Sequence, residues 1–313
     1  MKGPAPALVL DAGGLRLRAL SWPSAGVAEG PAAPQVLLLH ATSFCAAVWE
    51  PVWRAACAAG APVASALATD ARGHGESDAP SAPEAYAWTR FVDDAVAWID
   101  ALPALLPGGA EPNAGVVLVG HSSGATTALA AAAARPERVR GVLAVEAVLY
   151  DTPLPGADVD SYLGSRFMAA QARRRRARFE SLEQARTRLS ARPPYAGFAP
   201  ESLEAFLAGG LAALPSGEVA LRCAPEIEAA CYDGAAALDF WPAVGRIACP
   251  LRLVAGTKGF MPPALVQRML ETLPGTRIEA VEGGTHFVAL EQPACVGDAL
   301  ARFLREVTKI HVA

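Results

Sequence analysis

The chain has 313 residues, 52% hydrophobic and 19% charged, which is enough to bury a large core and typical of a globular protein. A formal net charge of −4 creates no field that would gather nucleic acid or anionic lipid, so neither is expected as a partner. The N-terminal MKGPAPALVLDAGG carries no apolar run of signal-peptide length, and no stretch reaches the roughly 18–20 apolar residues that span a bilayer; the expectation is a cytoplasmic protein with no membrane association.

In chain order, the apolar runs ALVL (7–10) and LRLRAL (15–20) predict an antiparallel hairpin, followed by a flexible loop at SAGVAEGPAAP (24–34). QVLLLH (35–40) and VASALA (63–68) predict strands, then a helix over 84–106 opened by Pro83. VVLVG (116–120), a helix over 123–134 and VLAVE (142–146) follow. From about Leu149 to Trp241 the rhythm breaks into polar helical pieces between Pro and Gly clusters, which reads as an inserted cap. LRLVAG (251–256), a helix over 262–273 opened by Pro262 and Pro263, RIEAVEG (277–283) and a helix over 293–307 opened by Pro293 close the chain. The later runs are apolar nearly throughout, as parallel strands covered on both faces require. The expectation is an α/β core formed by 1–148 and 242–313, with a mostly parallel eight-stranded sheet and a helical cap at 149–241. Six cysteines, at 45, 57, 223, 231, 249 and 295, match neither zinc-site nor disulfide-framework spacing and are expected to be buried thiols.

The chemistry concentrates at Gly120-His121-Ser122-Ser123-Gly124, a GxSxG pattern between a strand and a small-residue helix. There a nucleophile occupies a strained turn at the carboxyl end of the sheet, where open α/β sheets bind ligands. HATSFCAAVW, DARGHGES, GHSSGA and GGTHFVALEQP together resemble the oxyanion loop, post-strand turn, nucleophile elbow and histidine loop of the α/β-hydrolase superfamily over nearly the whole chain.

That resemblance implies Ser122 as nucleophile and His286 as general base, with His40 and His121 in structural positions; His74 lies in the RGHG turn and His311 is the third residue from the end. It also implies backbone oxyanion donors at Ser123 and Thr42, although the usual His-Gly reads His40-Ala41 here. The family commonly places its acid after the LRLVAG strand, where this chain reads Gly256-Thr257-Lys258-Gly259-Phe260 without a carboxylate. Glu146, at the end of the strand beside the nucleophile strand, is the candidate acid, because an unpaired carboxylate there would be costly. Haloalkane dehalogenases and zearalenone lactonases place theirs similarly, and the lactonases combine it with a serine elbow resembling GHSSGATTALAAAAARPERVRGVLAVEAVLY. Asp151 and Asp239 are reserve acids, Asp70 reads as a loop brace, and Arg173 to Arg176 read as a solvated helix face.

The implied activity is hydrolysis of a small hydrophobic ester or lactone through an acyl-enzyme, with no metal or cofactor required. Tyr150, Tyr162, Phe167 and Trp241 are candidate walls of the substrate pocket. Carbon–carbon bond hydrolysis and perhydrolysis run on the same three residues, and a non-catalytic receptor is the rival of a different class. Dehalogenase and epoxide hydrolase relatives carry Asp at the apex that is Ser122 here.

Overall fold

The structure is a computed structural model and describes residues 5–23, 34–62, 65–105, 115–148 and 160–310, without the side chains of 5, 6, 160–164 and 310. Loop residues 24–33, Tyr150, Asp151 and His311 lie outside the described residues, as does the side chain of Tyr162.

The strands are β1 (Ala5–Asp11), β2 (Arg16–Pro23), β3 (Gln35–Leu39), β4 (Ser65–Thr69), β5 (Val116–His121) and β6 (Val139–Val145). After three short strands, β7 (Arg178–Phe179), β8 (Leu211–Ala213) and β9 (Val219–Leu221), the chain returns to β10 (Leu251–Gly256) and β11 (Arg277–Val281). Eight of them form one sheet in the order β1-β2-β4-β3-β5-β6-β10-β11. The first two junctions are antiparallel, and from β4 onward every pairing is parallel. This is the α/β-hydrolase fold.

The sheet is covered by α1 (Glu50–Ala58), α2 (Trp88–Leu105), α3 (Ser123–Ala134), α8 (Trp241–Val244), α9 (Pro263–Thr272), α10 (Val288–Glu291) and α11 (Pro293–Ile310). Between β6 and β10 lie α4 (Asp160–Arg173), α5 (Leu182–Ser190), α6 (Pro200–Gly210) and α7 (Pro225–Asp233). That segment is not wholly helical, since β7, β9 and β8 form a small antiparallel sheet within it. Those strands have two or three residues each, too short for a period-two pattern to be read.

Two other expectations change. The α4 helix ends at Arg173, so the arginine run is not one helix face: Arg173 pairs with Asp233, while Arg175 turns inward to Glu228 at 2.5 Å and to the Tyr195 hydroxyl. Four cysteines are buried, but Cys249 is half-buried and Cys295 is exposed, as its place on the surface of amphipathic α11 dictates. Among the described residues no helix is long and apolar enough to cross a membrane.

Two loops at the carboxyl edge are tied reciprocally. His40, after β3, accepts the Ala71 N–H at 3.0 Å and donates to the Ala41 carbonyl at 2.7 Å. His74, after β4, accepts the Ser43 N–H at 3.0 Å and donates to the Arg72 carbonyl at 2.9 Å. Asp70 adds a third tie by accepting the Ala46 N–H at 2.7 Å. Each imidazole must be neutral to accept, and burial, the largest cause, lowers their pKa values to about 3 for His40 and about 4 for His74. Burial also lowers His121 to about 3, whereas it raises Asp70 to about 6 and shifts Asp94 upward despite Arg72.

The sign of the pH dependence follows. On acidification below about 6.5 the unfolded chain binds protons on these three histidines that the folded protein refuses, which removes stability. Asp70 and Asp94 act in the opposite sense, because the folded state binds their protons first, but they are two groups against three. The melting temperature should therefore fall as pH drops from 6.5 towards 4; a flat or rising profile in that window would contradict the neutral-histidine brace.

Candidate active site

Four short connections at the carboxyl ends of β3, β5, β6 and β10 meet the loop after β11. At the end of β5 the chain turns into α3 with Ser122 at φ 56° and ψ −121°. Glycines make the turn possible: a Cβ at 120 would strike the Gly124 carbonyl, and one at 124 would strike the Leu39 carbonyl. The Ser122 N–H is held by the Val145 carbonyl at 2.9 Å, and its own carbonyl starts α3 by accepting from Ala125 and Thr126. Alanine-rich α3 is buried along almost its whole length, so it lies close beneath the sheet and aims its positive end at the turn.

His286 approaches from the loop after β11. Its Nε2 lies 2.9 Å from Ser122 Oγ and its Nδ1 lies 3.3 Å from Glu146 Oε2. A carboxylate only accepts, so Nδ1 carries the proton and Nε2 presents its lone pair to the serine hydroxyl. The loop is pinned from two sides. The buried His121 imidazole donates to the His286 carbonyl at 2.7 Å, and Thr285 donates through its amide and its hydroxyl to Glu291 at 2.8 and 2.6 Å.

Glu146 follows β6 with its side chain fully buried. Its Oε1 accepts the Gly256 N–H at 2.8 Å while Oε2 faces the imidazole, so both oxygens are engaged. The absence of an acid after β10 has a steric counterpart, because a Cβ at Gly259 would overlap the Glu146 carboxylate. The carboxylate from β6 occupies the volume that a side chain at 259 would need. Asp70 is committed to the Ala46 and Glu76 amides.

Backbone strain marks the same place. Ser43 (φ 72°), Ser122 (φ 56°) and Glu146 (φ 47°) are the non-glycine residues with positive φ among those described. Such conformations cost about 1–3 kcal/mol each and persist only where the surroundings impose them.

Thr42 and Ser123 face each other, although in this state the Thr42 N–H donates to Ser123 Oγ at 2.9 Å, with the two hydroxyls 3.0 Å apart. A ligand oxyanion would gain the Thr42 donor only when the Ser123 hydroxyl moves or shares it. Beneath this pair, a cavity of about 40 Å³ between α2 and α3 is lined by Thr42, Asp70, His74, Trp98, Ser123 and Thr127, among others, and touches neither Ser122 nor His286.

Of the expected pocket walls, Phe167 is exposed on α4. Trp241 is not with Ser122: it is buried in the core layer with Val244 and Met269, edge-on to Phe240 and beneath the Arg268 guanidinium. Position 241 starts a helix that packs under the sheet, which explains its burial. The aromatic surface beside the site comes from elsewhere. Tyr195, Phe198 and Phe206 of the β6–β10 segment pack with Phe44 of the loop after β3, and Phe44 and Phe198 in turn touch Phe287 beside the imidazole. No periodicity could have assigned these, because they converge from three separate parts of the chain, around residues 44, 195–206 and 287.

Residues 36–296 match the Alpha/beta hydrolase family, and the chain belongs to it. Over 116 residues it is 34% identical to an epoxide hydrolase of Caballeronia sordidicola, a match covering 37% of this chain, and the chain spans 32% of that relative's length. In structure it is similar to E-2-(acetamidomethylene)succinate hydrolase, with a TM-score of 0.75, 22% identity and coverage of 96% of this chain and 98% of that one. The thioesterase domain from the curacin biosynthetic pathway gives a TM-score of 0.73, 20% identity and coverage of 96% and 100%. At these identities the structural likenesses establish the fold.

The overlap at Gly259 leads to a test. Gly259→Ala should push the carboxylate away from His286 Nδ1 and slow the reaction of Ser122 with a fluorophosphonate by about tenfold or more. Labelling at the wild-type rate would show that the carboxylate does not depend on that space.

Proposed function

We propose that the protein is a serine hydrolase that cleaves a carboxylic ester or lactone through an acyl-enzyme. The observation that carries this reading is the placement of one imidazole between Ser122 Oγ at 2.9 Å and the buried Glu146 carboxylate at 3.3 Å. In this reading His286 removes the hydroxyl proton as Ser122 attacks the carbonyl carbon, and Glu146 fixes the tautomer and stabilises the imidazolium. The 3.3 Å contact is slightly long for a charge-assisted bond and would shorten as that charge develops. The N–H groups of Ser123 and Thr42 receive the oxyanion, the latter once the Ser123 hydroxyl yields it. His286 passes its proton to the leaving alcohol oxygen, then takes a proton from the water that attacks the acyl carbon, and hands that proton to Ser122 Oγ as the C–Oγ bond breaks and the acid departs.

The apex residue separates this chemistry from that named for the Caballeronia sordidicola relative. Opening an epoxide with a serine would leave an ether that water does not cleave, whereas an aspartate leaves a hydrolysable ester. An acid supplied from the end of β6 to a serine elbow favours the zearalenone-lactonase-like subtype within the family. Residues 149–241 would form the cap over the substrate, and Tyr150, Tyr162 and Phe167 remain candidate contacts there, with a hydrophobic ester or lactone as ligand.

Ser122→Ala should abolish turnover and fluorophosphonate labelling, and Glu146→Gln should lower kcat by about 10³–10⁴-fold. Assay against esters, lactones and vinylogous diketones of graded length checks both the residues and the bond cleaved. Stoichiometric labelling at Ser122 supports the enzyme, while no labelling supports a receptor; near-wild-type turnover by Glu146→Gln removes it from the mechanism.

A further inference from the structure

Phe260 is out of place for a packing residue. It is 62% exposed, yet its ring stacks on the His286 imidazole with centroids 4.1 Å apart and planes inclined by 29°. Among the described residues, the other aromatic side chains of the neighbourhood are covered: Phe44, Tyr195, Phe198 and Phe206 are buried, and Phe287 is half-buried. An exposed phenyl ring contributes little to the core, and this one lies against the imidazole of the site.

The backbone holds the ring where it is. Thr257 N–H bonds the Val281 carbonyl at 3.0 Å, Lys258 N–H bonds the Gly284 carbonyl at 2.8 Å, and Gly283 N–H bonds Thr257 Oγ1 at 2.9 Å. Gly259 N–H closes the turn on the Gly256 carbonyl at 2.9 Å, and Pro262 and Pro263 open α9 directly afterwards. Phe260 thus stands between a turn stapled to the histidine loop and a pair of prolines with fixed φ. Ordering costs on binding are small for a wall already in position.

Acyl transfer determines what meets it. The proton that His286 Nε2 takes from Ser122 must be handed to the departing oxygen, so that oxygen lies within hydrogen-bond reach of Nε2. The group it carries therefore leaves alongside the imidazole, on the side away from the Thr42 and Ser123 amides that hold the carbonyl oxygen. Among the described residues, Phe260 is the exposed apolar side chain stacked against that ring.

We propose that Phe260 is the specificity-determining wall for the leaving group, selecting esters whose alcohol portion is flat and apolar, aromatic before saturated. The proposal rests on the acyl-transfer reading of Ser122 and His286. Ring stacking adds about two- to tenfold discrimination beyond simple burial.

The test uses the full chain and three acetate esters whose alcohols have similar acidity: benzyl, cyclohexylmethyl and ethyl. Wild-type protein should show the highest kcat/KM for the benzyl ester. Phe260→Ala should reduce the benzyl-to-ethyl ratio by about tenfold, and Phe260→Leu should keep cyclohexylmethyl above ethyl while losing benzyl over cyclohexylmethyl. Circular dichroism melting shows that each variant is folded. An unchanged ratio in Phe260→Ala, no benzyl preference in the wild type, or a protein whose Ser122 reacts with fluorophosphonate but which, untreated, turns over none of the three esters would overturn the proposal. Failure of fluorophosphonate to label Ser122, or turnover surviving in Ser122→Ala, would instead overturn the acyl-transfer reading beneath it.

Discussion

A fully buried carboxylate governs the arrangement of this site. Glu146 would be costly in the interior if it were unpaired, and its two oxygens are answered by the Gly256 amide and the His286 imidazole. Its position needs an empty volume at Gly259, a left-handed backbone at residue 146, and a histidine loop held at the right depth by His121 and Glu291. Each of these is local, and each is supplied by a different strand end.

Strain and bracing are two sides of the same construction. Ser43, Ser122 and Glu146 adopt conformations that L-residues avoid, and they persist because neighbouring groups leave them no alternative. The Ser122 and Glu146 N–H groups donate to the Val145 and Val254 carbonyls of the sheet, and the Ser43 N–H donates to the neutral His74 imidazole. The aromatic cluster then joins the β6–β10 segment to both loops that flank Ser122, through Phe44 after β3 and Phe287 after β11.

Much of the fold was legible because its signals are short in range. The eight sheet strands coincide with the apolar runs, and the helix over 123–134 matches α3, since burial on both faces and small residues after a glycine turn leave a direct imprint on sequence. Helix α1 was not foreseen, because the motif read after the third strand stops at Trp49, one residue before the helix begins. Within the site, the GxSxG turn and the late histidine were visible as motifs, and Glu146 entered through the lack of an acid after β10. What stayed hidden depends on distance in space: Gly259 as the space for Glu146, Phe260 on the imidazole, Arg175 turned towards Tyr195, and Trp241 inside the core. A glycine in a loop has many causes, and only the position of the opposite carboxylate selects one.

The central claim is that the acid reaches His286 from the end of β6 through the space above residue 259. The direct measurement is steady-state turnover of Glu146→Gly alone and of Glu146→Gly combined with Gly259→Asp. A Cβ at 259 points at the volume that the Glu146 carboxylate fills, and Gly259 has no positive φ, so an aspartate fits there once residue 146 is trimmed. The account predicts that the single variant loses at least about 10³-fold in kcat and that the double variant recovers part of it. A Glu146→Gly protein with wild-type turnover would contradict the account.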